Sequence, residues 1–262
     1  MNGQTGGTAN GHITVMAHLV AGYPTTELAR AAAKGLAEGG VSYFEVQFPF
    51  SDPSADGKAI QTACAEVLSR GYKLEEGFAF VSELRRTYPS IPVFIMTYGN
   101  LAYKTGIAKF VAEAAKAGAS GLIIPDLPFD ADEGLAAECE KRGLVSVPVA
   151  APSMKAARIG LLKTLRRPYV YAALRAGITG FATVIDEKTL AFIKSVSSSG
   201  TKVLGGFGIR TGEASRALAP AVHAVVVGSI FVDVIAENAA LGADAVRKAV
   251  AAKALSLAGI CQ

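Results

Sequence analysis

Short apolar runs rich in Val, Ile, Phe and Tyr alternate along this chain with longer, Ala-rich segments of helical period. The runs are ITVMAHLV, YFEVQF, VFIMTY, GLIIP, LVSVPV, YVYAAL, KVLGG and AVVVG. Most are apolar at consecutive positions, as befits parallel strands covered on both faces; a strand with one wet face would alternate. Helical periodicity predicts helices over 25–38, 58–69, 75–87, 106–116, 131–142, 155–165, 186–196, 211–218 and 242–257. Thr25, Asp130 and Asp186 are capping types at helix starts, and several helices end at Gly, as at Gly39, Gly118, Gly143 and Gly200. Eight strand-then-helix units fit an α/β fold of the (β/α)8, or TIM, barrel type, which takes about 250 residues. A doubly wound open sheet usually needs fewer strands or a second domain.

The 262 residues therefore read as a single barrel domain over 1–262, with residues 1–11, MNGQTGGTANG, a flexible segment. No linker divides the chain, and SSSG at 197–200 reads as a loop between helix and strand. The alternation is a structural repeat without a sequence repeat.

Several function classes are disfavoured. The 26 basic and 22 acidic residues are spread along the chain without a long run of one sign, which disfavours nucleic acid as a partner. No apolar stretch approaches the roughly 18 residues that span a bilayer, and the Gly-rich N-terminus resembles neither a signal nor a transit peptide. A soluble chain that starts near Met1 is expected. Cys64, Cys139 and Cys261 are widely spaced and lack a CxxC pattern, so neither a disulfide framework nor a metal site is expected. A reducing cytoplasm is the simplest setting, or the plastid stroma if the chain is a processed form.

Three constellations carry chemistry. In FEVQFPFSDPSADG, Glu45 sits in an apolar run near the C-terminal end of the second strand, the face where such barrels catalyse. A carboxyl group in apolar surroundings holds its proton more tightly and can exchange it near neutrality. Asp52 and Asp56 follow in the loop; for Asp52 a turn before Pro53 is the simpler reading, and Asp56 could also help start the helix at Lys58. The second constellation is KVLGGFGIRTGE followed by AVVVGSIF, two Gly-bearing strand ends that lead into helices and would offer backbone N–H groups to a phosphate. The third is YVYAALRAGITGFAT, where Arg175, Gly177, Thr179 and Gly180 form a polar loop suited to a lid.

Taken in order, FEVQFPFSDPSADGKAIQ, MTYGNLAY, IIPDLPFD, ALRAGITG, GGFGIRT and VVGSI resemble the tryptophan synthase alpha subunit family over nearly the whole chain. The resemblance implies a carbon–carbon lyase of tryptophan biosynthesis that cleaves indole-3-glycerol phosphate to indole and glyceraldehyde 3-phosphate. It implies no metal or organic cofactor in this chain and a partner beta subunit that carries pyridoxal phosphate, in an assembly of two alpha and two beta chains. By the same resemblance, Glu45 is the catalytic acid and base, Asp56 the partner of the indole N–H, and Thr179 the lid residue that reaches Asp56. Gly180, Gly206, Gly208, Gly228 and Ser229 correspond to the phosphate site, and His18, Tyr98, Tyr171 and Phe207 to the substrate pocket.

The chain also departs from the family pattern. His18 stands where a pocket Phe is common, Tyr23 replaces the acid of the GDP turn, Phe181 alters the lid, and the N-terminus is too short for an extra helix under the barrel. Competing readings are a free-standing lyase that releases indole, a weakly active phosphate-binding regulatory subunit, and a sugar-phosphate isomerase. Retention of both Glu45 and Asp56 argues against the regulatory subunit, and FPFSDPSADG against the isomerase.

Overall fold

A computed structural model of the chain describes residues 8–9, 12–174 and 185–260. Its strands are β1 (Thr8–Ala9), β2 (His12–Ile13), β3 (Val15–Val20), β4 (Tyr43–Gln47), β5 (Val93–Met96), β6 (Gly121–Ile123), β7 (Val145–Val147), β8 (Val149–Ala150), β9 (Tyr169–Ala173), β10 (Lys202–Gly206) and β11 (Ala224–Val227). The helices are α1 (Thr26–Glu38), α2 (Lys58–Ser69), α3 (Leu74–Thr87), α4 (Gly99–Thr105), α5 (Ile107–Lys116), α6 (Leu135–Lys141), α7 (Ala156–Thr164), α8 (Glu187–Val196), α9 (Gly212–Leu218), α10 (Ser229–Asn238) and α11 (Ala243–Ala258).

Nine strands form one sheet in the order β7-β6-β5-β4-β3-β11-β10-β9-β8, and every pairing within it is parallel. Only Pro148 separates β7 from β8, which pair with β6 and β9 respectively. Proline has no N–H to give to a ladder, so it splits one strand into two short pieces. Its carbonyl still accepts from Tyr171 N at 2.9 Å. The two pieces are one barrel strand, and through it the sheet comes back on itself as the eight-stranded barrel expected from the sequence. Of the N-terminal segment 1–11, Thr8–Ala9 form β1, paired antiparallel with β2; the rest lies outside the described residues.

The period of two along each strand divides the core. Met16, Tyr43, Phe94, Met96, Ile123, Tyr171, Leu204 and Val226 pack inside the barrel. Val15, Ala17, Leu19, Phe44 and Val46 face outward against the helices. On this alternation His18 shares the inner face with Met16, and Glu45 and Gln47 share it with Tyr43.

Two helix expectations need correction. The segment expected to be helical over 131–142 is helical only over Leu135–Lys141. Asp130 does not cap it: its carboxylate takes Arg158 at 2.6 Å, while Asp132 accepts from Gly134 N and Ala136 N. Gly134, with φ of 84°, supplies the left-handed turn into the helix. The short α4 was not anticipated, because VFIMTY reads as one apolar strand whereas β5 stops at Met96. Thr25 and Asp186 do cap α1 and α8, accepting from Leu28 N and Thr189 N.

Candidate active site

The site grows from two adjacent strands. His18 of β3 stands directly beside Glu45 of β4 in the ladder, and both point into the barrel near its C-terminal end. Their side chains meet, His18 Nδ1 to Glu45 Oε2, at 2.7 Å. Both are almost fully buried, at 2% and 4% exposure. His18 Nε2 is also buried and has no hydrogen-bond partner among the described residues. A buried carboxyl group needs such a partner, because desolvating it alone costs on the order of several kcal/mol.

Two positions beyond Glu45, Gln47 shares the inner face and reaches Asp56. Its Nε2 donates to Asp56 Oδ2 at 2.9 Å, and the Tyr98 hydroxyl donates to the same oxygen at 2.7 Å. Tyr98 is itself fixed by accepting from Ala55 N at 3.1 Å and by stacking on Phe50 at 5.3 Å. Asp56 is thus a buried, doubly bonded carboxyl and not a helix cap; α2 has Gly57 at its N-cap and no side-chain capping bond. Burial pushes the Asp56 pKa up; His18 and the bonds from Tyr98 and Gln47 pull the other way, and Glu45 adds to the rise. The net direction is upward. The Tyr98 hydroxyl is raised in turn, first by burial and then by Asp56.

Asp52 is exposed and, among the described residues, accepts only from the neighbouring Ser51 hydroxyl, at 2.6 Å. It lies in an outer groove with Pro53 and Lys58.

Glu45, Asp56 and His18 line one cavity together with Tyr171, Phe207, Gly208, Gly228 and Ser229. Ile60, Met96, Ile123, Pro125, Val149, Ile209 and Val226 complete an apolar wall fit for a flat aromatic ring. At the far side the chain turns sharply after β10: Phe207 and Gly208 both have positive φ, 83° and 81°. A phenylalanine held there is unusual and marks a position the surroundings enforce. Its ring stands edge-on to Tyr171, with centroids 5.9 Å apart.

Next to this turn, α10 begins at Ser229 with Gly228 as its N-cap and no side-chain capping bond. Helix N-termini carry free N–H groups and partial positive charge, a fit for an anion. Among the described residues, an added Cβ at Gly228 would meet no atom nearer than 3.7 Å. Arg210 adds a cation: Nη1 donates to Ser229 Oγ at 3.1 Å and Nη2 to Asp233 Oδ2 at 2.8 Å.

Two expected site positions do not line the cavity. Tyr98 is fully buried and not part of the cavity wall; it stands behind Asp56. Gly206 is also absent from the wall, and a Cβ there would lie 2.4 Å from the Tyr171 hydroxyl and 2.9 Å from Val226 Cβ. Its lack of a side chain makes room for Tyr171. Thr179 and Gly180, with Arg175, Gly177 and Phe181, lie outside the described residues. The sequence reading missed Gln47 and Arg210. Gln47 carried a signal, being a polar residue at the same inward period as Glu45; Arg210 carried none, because its partners Ser229 and Asp233 come from a later helix.

Fold and site together define a (β/α)8-barrel enzyme whose cavity, at the C-terminal ends of its strands, holds two differently supported carboxyl groups. The family model described as tryptophan synthase alpha chain matches residues 7–258. The chain belongs to the tryptophan synthase alpha chain family. It is 38% identical over 229 residues to the tryptophan synthase alpha chain of Helicobacter hepaticus, covering 85% of this chain and 86% of that relative. The alpha chain of Methanosarcina mazei is 38% identical over 225 residues, 86% of this chain and 82% of the relative. Among solved structures, Mycobacterium tuberculosis tryptophan synthase superposes with a TM-score of 0.81 at 29% identity, covering 94% of this chain and 93% of that one. The tryptophan synthase complex of Pyrococcus furiosus gives 0.80 at 29% identity, covering 94% and 98%.

Proposed function

We propose that this chain cleaves indole-3-glycerol phosphate with Glu45 as general acid and base and Asp56 as the support of the indole nitrogen. The chain is a carbon–carbon lyase of tryptophan biosynthesis. The observation that carries the assignment of roles is the pair of buried carboxyl groups on one cavity wall, Glu45 bonded to His18 and Asp56 to Gln47 and Tyr98.

Breaking the bond between indole C3 and the glycerol chain requires C3 to take up a proton, which Glu45 gives. The protonated ring carries positive charge at N1, and an ionised Asp56 beside it stabilises that charge. Burial alone works against an ionised Asp56 in the free protein, whereas a cationic ring against it favours the ionised form. The carbon–carbon bond then breaks with its electron pair returning to the ring as indole. The adjacent hydroxyl loses its proton as its oxygen forms the aldehyde, and Glu45, now a carboxylate, regains a proton. The amides at Gly208, Gly228 and Ser229 receive the phosphate, with Gly206 behind them and Gly180 assigned to the same role by the family resemblance; Tyr171 and Phe207 flank the ring, and Thr179 is the lid residue.

Gly228→Ala is expected to weaken binding of a phosphate-bearing ligand by about tenfold, because the methyl meets only ordinary contacts within the protein but enters the anion's space; unchanged affinity by calorimetry would put the phosphate elsewhere. Gly206 is the poorer choice for this test, since a side chain there strikes Tyr171.

The reading extends to a beta subunit as partner, which brings the pyridoxal phosphate, and to one domain working in the cytoplasm or a plastid stroma. Among the described residues no helix is long and apolar enough to cross a membrane. The testing experiment is indole release from indole-3-glycerol phosphate by the purified chain, alone and with a tryptophan synthase beta subunit. Indole and glyceraldehyde 3-phosphate should appear in equal amounts, faster with the partner. A rate that ignores the partner would favour a free-standing lyase, and no release in either case would remove the activity.

A further inference from the structure

The reaction needs one proton delivered to carbon and another removed from a hydroxyl, and the cavity wall offers an imidazole beside Glu45 for this. His18 presents Nδ1 to Glu45 at 2.7 Å, while its buried Nε2 has no partner among the described residues and the side chain lines the cavity. An imidazole bonded at one nitrogen to an acid and unpartnered at the other can carry a proton from a substrate group that reaches the second nitrogen to the acid on the first.

We infer that His18 is a catalytic residue that relays the proton of the substrate hydroxyl to Glu45. The inference rests on Glu45 being the acid and base proposed above. At the start, His18 Nδ1–H donates to Glu45 Oε2, the acid proton sits on Oε1 facing indole C3, and the bare Nε2 accepts from the hydroxyl on the carbon joined to C3. Glu45 first gives its proton to C3 and becomes a carboxylate. As the carbon–carbon bond breaks, its electron pair returns to the ring, and the hydroxyl oxygen forms the carbonyl. The hydroxyl proton passes to Nε2 while the Nδ1 proton passes to Oε2. Glu45 has then regained one proton, His18 remains neutral with its proton on the other nitrogen, and exchange with water after product release restores the tautomer.

The groups that face this pair from neighbouring elements are few. Asp56 interacts electrostatically with both His18 and Glu45, and Tyr171 of β9 with Glu45. From α10 comes Ser229, whose hydroxyl accepts from Arg210, itself paired with Asp233. No described lysine is among these groups, so His18 is the base beside Glu45 that can take up a hydroxyl proton.

The test compares steady-state indole formation by the full chain and by His18→Ala, His18→Gln and Glu45→Gln, with and without added imidazole, each folded by circular dichroism. His18→Ala should lose at least about a hundredfold in kcat, the scale of one general acid–base group, and imidazole should return at least about tenfold of it. His18→Gln keeps an amide near the Nε2 position, so its KM should stay within about threefold of the parent. It cannot relay, so its kcat should remain as low as that of His18→Ala, without rescue. A kcat within about twofold of the parent in either His18 variant, or a low kcat in His18→Ala that imidazole leaves unchanged, would make His18 a packing residue and overturn the relay. If Glu45→Gln is inactive while the His18 variants are indifferent, the role of Glu45 stands and the relay falls. If Glu45→Gln is active, both fall.

Discussion

Glu45→Gln should lower the rate of indole formation by at least about a hundredfold, within the range of ten to the second to ten to the fourth that general acid–base groups contribute. The substitution keeps the shape of the side chain and keeps an oxygen for His18, whose Nδ1 lies 2.7 Å from Oε2 in the parent. The fold should therefore survive, with a thermal midpoint close to that of the parent, and KM should change far less than kcat. What is lost is the proton for indole C3. A folded variant that turns over at near the parent rate would remove Glu45 from the mechanism. Asp52→Asn is the natural control, because that carboxylate is exposed and bonded to Ser51.

Asp56→Asn should be as damaging to turnover, since an amide cannot offset the positive charge that develops on the ring. Its effect on stability should run the other way. The Asn carbonyl can still accept from Gln47 and Tyr98, which both bond one oxygen of Asp56. Burial raises the Asp56 pKa above its ordinary value, so the folded protein holds that proton more tightly than the unfolded chain does. The folded state then binds more protons, and stability falls as pH rises from the ordinary Asp value, near 4, towards the raised folded value. Asn does not titrate. The stability of Asp56→Asn relative to the parent should therefore climb across that interval and level off above it, while below about pH 4 the two should differ little. Denaturant unfolding at a series of pH values measures this. A difference independent of pH would mean that burial does not oppose the charge on Asp56.

The barrel was legible because its strands are apolar at consecutive positions and its helices carry their own stop signals, so eight units could be counted without knowing which strand faces touch. Sequence patterns do not say which side of a doubly covered strand points inward. The meeting of His18 with Glu45 depends on the register of β3 against β4, a long-range pairing that local periodicity does not encode. Glu45 stood out because a carboxylate amid Phe44, Val46 and Phe48 is costly without a purpose. Gln47 is as well buried and supports Asp56, but a neutral amide in an apolar run draws less notice. Asp56 was legible as a site candidate only through the resemblance; taken alone, an acid before a helix suggests a cap, and its true partners, Gln47 and Tyr98, come from β4 and the end of the segment after β5. Gly206 and Tyr98 show the same limit from the other direction. The resemblance assigns one to the phosphate site and the other to the pocket, and the structure adds that the first makes room for Tyr171 and the second holds an acid.

The division of labour between the two carboxyl groups can be tested in one crystal structure, that of Glu45→Gln with indole-3-glycerol phosphate bound and uncleaved. The account predicts the indole nitrogen within hydrogen-bond distance of the Asp56 carboxylate, C3 facing residue 45, and phosphate oxygens on the amides of Gly208, Gly228 and Ser229. An indole ring turned away from Asp56, or a phosphate held anywhere else, would contradict it.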